Sequence, residues 1–379
     1  MRDNAPYLPL EVAVVWDRLI RAELDGLRPY APGLREEQVR ERSGRDDICK
    51  LSSNEHPYPP TQRVIAAMEA ALGELNRYPE GGASDLKDKL ATRLGVLPAQ
   101  IAVGNGSNEL LRLIAQAVLR PGDEVVYAWP SFVVYPMVTD IFEATHVKVP
   151  LAAGEVHDLD AMLAAVTERT RLLFCCNPNN PTGTIYTRAV FERFLAAVPP
   201  HVLVVLDEAY FEFVTSPVYP DGLAYFYGER PLVVARTFSK IHSLAGLRVG
   251  YAVAPEPLVR ALDCIREPFN VNSVAQAAAF AALDDDAEVA RRRAENQEQK
   301  TYLYASFDRL GINWVPSEAN FVYVKTKRPV EVFEALLGEG VIVRDFGNAP
   351  ALRVGVGSPE ETRRTIEAFE AVVSRLGGV

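Results

Sequence analysis

The run "LVVARTFSKIHSLAGLRVGYAV" at 232–253 delivers Ser239 and Lys240 to the end of an apolar stretch, with Arg248 eight residues further on. A lysine off any obvious solvated face becomes a useful nucleophile when partial burial lowers its pKa, the requirement for Schiff-base chemistry. The bland alternative for any single lysine is surface solvation. Upstream, "HVLVVLDEAY" at 201–210 closes a second apolar run on Asp207, Glu208 and Tyr210. Two carboxylates cannot both stand against an apolar sheet unless partnered. One of them suits a protonated ring nitrogen, and Asp207 could equally cap a helix. "NPNNPTG" at 177–183 follows the run ending at Cys176. Polar loops at strand C-termini are where α/β folds place ligands, although Asn-Pro and Pro-Thr-Gly are also plain turn formers. "GNGSNELL" at 104–111 lacks the third glycine of the dinucleotide fingerprint. It still sets Gly106, Ser107 and Asn108 between a strand and a helix beginning near Glu109. Backbone N–H groups at such a start form a phosphate cup, or simply an N-cap. Polar loops after four successive strands weaken the solvation reading of Lys240.

The elements that must position these residues alternate. "TQRVIAAMEAAL", "SDLKDKLATRLG" (capped by Ser84 and closed by Gly95), "NELLRLIAQAVL" and "AVFERFLAAV" have helical period. Between them stand "IAVG", "DEVVYA", "HVKVPL", "RLLFCC", "HVLVVLD", "LVVART" and "LRVGYAV" as short strands. The expected class is α/β, with a mostly parallel central sheet sandwiched by helices. At 379 residues the chain exceeds one core, so two domains are expected. Residues 53–285 would form the large domain. Residues 286–379, a long charged helix followed by "FVYVKT", "PVEVFEALLGEG", "VIVRDFG" and "ALRVGVG", would form a smaller α+β domain. Residues 1–52 would supply an arm and part of the small domain, with an amphipathic helix at 9–25.

Composition narrows the function class. Hydrophobic residues make up 48% and charged residues 24%, with a net charge of −10. That balance disfavours nucleic acid as a partner, because phosphate backbones need an excess of Lys and Arg. Cys49, Cys175, Cys176 and Cys264 form no CxxC pair, so neither a zinc site nor a disulfide framework is expected, and "LLFCC" reads as buried thiols. No stretch approaches the length of a membrane span or a signal h-region. The expectation is a reduced, cytoplasmic protein without metal.

The order "GNGSNE", "NPNNPTG", "DEAY", "TFSK…LAGLRVGY" resembles the fold-type I, pyridoxal-phosphate-dependent (class I/II) aminotransferases. "LRPYAPG", "KLSSNEHPY", "RYPEGGASDLK", "REPFNVN", "PSEANFV", "VIVRDFG" and "LRVGVGSPEE" bring it nearest their histidinol-phosphate aminotransferase branch, from about residue 24 to the C-terminus. The resemblance implies pyridoxal 5′-phosphate as cofactor, bound within residues 53–285 and carried on Lys240 as a Schiff base. Lys240 would also move the proton between substrate Cα and the cofactor. It implies that Asp207 pairs with the ring nitrogen, that Tyr210 and Asn180 hydrogen-bond the phenolate oxygen, and that Phe132 of "PSFVVY" stacks on the ring. Gly106, Ser107, Asn108, Thr237, Ser239 and Arg248 would hold the phosphate. Tyr78 would reach the phosphate of the neighbouring subunit of a homodimer. Arg353 would clamp a substrate anion, with Arg344 as a second guanidinium and Tyr30 closing the pocket. The chain departs from the usual pattern at Asn54-Glu55-His56-Pro57, at Asn108 and at His242, which could tune the site or merely pack behind it.

The implied reaction is transfer of the amino group of L-histidinol phosphate to 2-oxoglutarate, in histidine biosynthesis. An aromatic amino-acid aminotransferase would need a flat pocket but no dianion site. A phosphothreonine decarboxylase would share the cofactor residues and cleave a different Cα bond. A non-catalytic cofactor-binding module would lack a catalytic residue, and none is missing.

Overall fold

A computed structural model describes residues 19–21, 24, 27, 29, 33–227, 230–347 and 349–379. The helix expected at 9–25 falls almost entirely outside them, and Tyr30 is outside as well. Strand β1 is Cys49–Lys50. Strands β2 (Ile101–Gly104), β3 (Glu124–Trp129), β4 (Thr145–Pro150), β5 (Thr170–Cys176), β6 (Leu203–Asp207), β7 (Leu232–Thr237) and β8 (Gly250–Val253) are the seven runs expected from the sequence. They form one sheet in the order β2-β8-β7-β6-β5-β3-β4. The pairs from β7 across to β4 are parallel, whereas β8 is antiparallel to both its neighbours. Strands β5 to β8 are buried almost throughout on both faces, which is why they read as continuous Val/Leu runs without alternation.

Helices cover both faces of this sheet. One face holds Leu110, Leu111, Ile114, Tyr135, Val259 and Leu262, and the other holds Met162, Phe191, Phe194 and Leu195. Because β2, β3, β5, β6 and β7 run the same way, their C-terminal ends open on one edge. The polar loops singled out in the sequence therefore converge there, at the place where such sheets bind ligands. Ser84 is not the cap of its helix. The helix is Ser84–Leu94 and its N-cap is Ala83, at φ +50°. The Glu80 carboxylate accepts the N–H groups of Gly82 (2.8 Å) and Ser84 (2.7 Å), so a longer acidic side chain from the preceding turn does the capping. The C-cap is Gly95 at φ +69°, as expected. The helix after β2 starts at Ser107, one half-turn before Glu109.

The C-terminal part begins with the 25-residue helix Asp286–Leu310. Strands β9 (Asn313–Val315), β10 (Phe321–Lys325), β12 (Arg344–Asp345) and β13 (Ala351–Gly355) form an antiparallel sheet in the order β12-β13-β10-β9. Strand β11 (Val341–Ile342) pairs instead with β1, in parallel, so an N-terminal segment is built into the C-terminal unit. A separate core of Leu303, Phe307, Val322, Leu336, Leu352 and Phe369 lies between this sheet and its helices. Among the described residues no helix is long and apolar enough to cross a membrane.

Candidate active site

The cavity at the strand-end edge has a volume of about 370 Å³. Twelve of the residues named from the sequence surround it. Ser107, Asn108, Phe132, Asn180, Asp207, Tyr210, Thr237, Ser239, Lys240, Arg248 and Arg353 line it directly. Gly106 sits just behind, at φ +81°, where a Cβ would lie 2.5 Å from Arg248 Nη2. Only glycine permits that approach, and it lets the guanidinium close against the start of the helix Ser107–Val118. Arg248 Nη1 also donates to Ser239 Oγ (3.3 Å) and to Ala245 O (3.0 Å). A helix N-terminus, a guanidinium and three hydroxyl side chains (Ser107, Thr237 and Ser239) thus share one end of the cavity, which is a site for a phosphate-sized anion.

Asp207 ends β6 and is 2% exposed. Its Oδ2 accepts from the Tyr135 hydroxyl at 2.8 Å, whereas Oδ1 has no hydrogen-bond partner. Burial pushes its carboxyl up to about 6, against the lowering effects of Tyr135, the Ala209 N–H and Lys240. A buried carboxylate oxygen left without a donor is costly unless a ligand supplies one. Lys240 stands across the cavity, partly buried, with Nζ donating to Ser53 O at 3.1 Å. Burial first, and then the positive charge of Arg353, push its ammonium down to about 7. A substantial share of this amine is therefore neutral near neutral pH and able to attack a carbonyl. The Tyr210 hydroxyl accepts from Asn54 Nδ2 at 2.8 Å, and burial raises its pKa.

Arg353 projects from β13 and is 7% exposed. It donates to Asn180 Oδ1 and, at 2.6 Å, to Ser52 O, and its guanidinium lies 5.3 Å over the Phe321 ring. Asn180 and Arg353 therefore reach the cavity as a bonded pair. Arg344 does not line the cavity. It sits directly opposite Arg353 in the β12–β13 register, so both side chains leave the same face of that sheet. Tyr78 is 81% exposed and stacks on Phe269 at 4.6 Å, outside the cavity. His242 is not a lining residue either. It packs on Phe238, and burial together with Arg292 lowers its pKa to about 4. Cys175 and Cys176 are buried thiols, as "LLFCC" implied.

Three contributors lie in segments quoted from the sequence but carry no assigned role there. Ser53 holds the Lys240 amine, Asn54 holds the Tyr210 hydroxyl, and Tyr135 holds Asp207. Glu208 is partnered as the sequence demanded: Arg236 donates to it through Nε (2.9 Å) and Nη2 (2.8 Å).

Residues 46–369 match the model of the family described as aminotransferase class I and II. The histidinol-phosphate aminotransferase of Moorella thermoacetica is 45% identical over 359 residues, covering 93% of each chain. The aromatic amino acid aminotransferase of Streptomyces avermitilis is 46% identical over 344 residues, covering 90% of this chain and 94% of that one. Among solved structures, the histidinol-phosphate aminotransferase of Sinorhizobium meliloti in complex with pyridoxal-5′-phosphate superposes with a TM-score of 0.86 at 27% identity, covering 94% of this chain and 98% of that one.

Proposed function

The chain belongs to the class I and II aminotransferase family, and on that premise we propose that it moves the amino group of L-histidinol phosphate to 2-oxoglutarate, yielding imidazole acetol phosphate and L-glutamate. The cofactor is pyridoxal 5′-phosphate, and the residues present fit it. The unpartnered Asp207 Oδ1 suits a protonated ring nitrogen, and the end formed by Gly106, Ser107, Asn108, Thr237, Ser239 and Arg248 suits a phosphate. When bound, the cofactor supplies a carbon that condenses with amines and a ring that withdraws electrons from the substrate Cα.

The chain's own residues do the rest. Lys240 Nζ, with its pKa lowered by burial to about 7, would hold the cofactor and would then accept and return the proton at substrate Cα. Asp207 stays anionic above about pH 6 and holds the ring nitrogen charged. Tyr210 and Asn180 would hydrogen-bond the ring oxygen, and Phe132 would cover the ring face. Arg353 fixes the substrate anion.

The observation that carries the choice of substrate is the Arg344–Arg353 register. Two guanidiniums on one sheet face suit a phosphoester dianion better than a lone carboxylate. Single-turnover kinetics of the two half-reactions test it. Hydrogen bonds to charged groups are worth roughly 1.5–3 kcal/mol, so Arg344→Ala should cost about 10–150-fold in kcat/KM with histidinol phosphate and far less with phenylalanine. Arg353→Ala should damage both. Equal loss on both donors from Arg344→Ala would favour the aromatic aminotransferase, a reading supported by the Streptomyces relative and by the Phe321 and Phe346 rings beside Arg353.

The proposal includes a homodimer in which the exposed Tyr78 reaches the other subunit's phosphate. Heterodimers of Lys240→Ala and Tyr78→Ala chains should then regain activity, because one of their two sites keeps both residues. Heterodimers that stay inactive would count against the shared site.

A further inference from the structure

Tyr135 ends the segment "PSFVVY" without a role assigned to it there and does not line the active-site cavity, yet it is the one side chain that hydrogen-bonds Asp207 among the described residues. It lies on the helix Val134–Ile141 and is completely buried. Its ring stacks on Phe174 with centroids 4.5 Å apart and planes 10° from parallel, and it meets Phe132 edge-on at 5.8 Å and Tyr127 at 6.1 Å. Three aromatic neighbours leave the ring one orientation, and in that orientation the hydroxyl stands 2.8 Å from Asp207 Oδ2. Burial raises the pKa of this phenol well above its ordinary value, so it keeps its proton and acts as a donor throughout the working pH range.

We propose that Tyr135 is a positioning residue for the reaction: by donating to Asp207 Oδ2 it keeps the carboxylate ionised in a dry site and leaves Oδ1 as the acceptor for the ring nitrogen of the cofactor. This rests on the assignment of Asp207 to that nitrogen. The physical reason is that a hydrogen bond to the charged form of an acid stabilises that form, whereas burial destabilises it. Without the phenol, burial acts on Asp207 opposed only by the Ala209 N–H and the charge of Lys240. The other titratable groups near Asp207 are Cys176 and Tyr210, both of which burial keeps neutral. Neither can replace the donor, because no hydrogen bond from either reaches the carboxylate.

Tyr135→Phe removes one oxygen and keeps the packing. The measurement is the fraction of pyridoxal phosphate retained by the holoenzyme after equilibrium dialysis, from acid to mildly alkaline pH, for wild type, Tyr135→Phe and Asp207→Asn. Retention should fall as pH drops and Asp207 takes up a proton. In Tyr135→Phe the midpoint should move upward by about one to two pH units, the equivalent of one charge-assisted hydrogen bond. The ligand's own titration is common to the proteins and drops out of the difference. A uniform loss of retention at every pH, with the midpoint unmoved, would make Tyr135 a packing residue and overturn the proposal. So would a profile identical to wild type. Asp207→Asn separates this from failure of the underlying assignment. If that variant keeps wild-type retention, pH profile and turnover, then Asp207 is not the partner of the ring nitrogen at all. Should Tyr135→Phe fold poorly, the acid limb of kcat in Tyr135→Leu and Tyr135→His decides between the outcomes: only the histidine variant, which can donate, should restore the wild-type limb.

Discussion

Asp207 and Glu208 are neighbours in the chain, equally buried, and opposite in their surroundings. Successive residues at the end of β6 leave opposite faces of the sheet. Glu208 enters a closed knot. Its Oε2 takes both Nε and Nη2 of Arg236, its Oε1 takes the Gly222 N–H at 2.8 Å and the Tyr219 hydroxyl at 3.2 Å, and Arg236 is further held by Asp221 and by the face of Phe211 at 3.5 Å. Asp207 has one side-chain donor and an oxygen with none. A buried charge with every lone pair used is architecture. A buried charge with one oxygen left over is waiting for something, and here it borders a cavity that also holds an amine of lowered pKa. Degree of satisfaction, more than burial or charge, separates the two roles.

The contrast predicts opposite penalties. The largest expected effect is on turnover. Lys240→Ala should remove the general-base contribution, about 10²–10⁴-fold or more in kcat, and Asp207→Asn about 10²–10³-fold, while urea unfolding of either cofactor-free variant stays close to wild type. On the Glu208 side, Arg236→Ala strands a buried carboxylate and should cost about 3–5 kcal/mol of unfolding free energy. Whatever activity survives in the folded fraction should be near wild type per folded molecule. Reversed outcomes, with an unstable Asp207→Asn and a stable Arg236→Ala, would dissolve the distinction.

A smaller effect sharpens the comparison on the cationic side. Lys240 and Lys300 are both depressed by burial, to about 7 and about 8, and each donates to one backbone carbonyl, Ser53 O and Ser317 O. Lys240 borders the cavity, and Lys300 is fully buried. In cofactor-free protein a small acylating reagent should modify Lys240 with a midpoint near pH 7, rising as pH rises because the neutral amine is the reactive form. Surface lysines should follow only near their ordinary pKa of about 10.4, and Lys300 should stay unmodified. Peptide mapping across pH reads all three classes, and a Lys240 midpoint near 10 would show that the cavity does not desolvate the amine.

The central strands of the main sheet were legible because a sheet covered on both faces writes itself as unbroken apolar runs ending in polar loops, whereas the edge strand β4, mostly unburied, was legible from the alternation of "HVKVPL". The residues on those loops were legible because chemistry at a strand end needs particular side chains within a few positions. What escaped is whatever depends on a distant partner. Tyr135 stands inside "PSFVVY", three positions after Phe132, yet its bond to Asp207 spans 72 residues. Asn54 opens a segment whose departure from pattern falls at His56, and its own bond to Tyr210 spans 156. Nothing local marks either residue as bound to a site. Ser84 failed for a related reason: a Ser before an amphipathic run is a good cap on average, and Glu80, four positions back, took its place.

The joining of β1 to β11, and of Ser52 to Arg353, has a consequence for the order of assembly. Arg353 donates to a carbonyl 301 positions earlier. Closing a chain segment of that length costs about 5 kcal/mol in loop entropy alone, and the contact cannot exist until nearly the whole polypeptide has been synthesised. The seven-stranded sheet, with Asp207 at the end of β6 and Lys240 in the loop after β7, is complete in the chain by residue 253. A nascent chain therefore carries Lys240 for some hundred residues of synthesis before it carries Arg353, which lines the same cavity and helps lower the pKa of that amine, so the cavity is finished only at the end of synthesis.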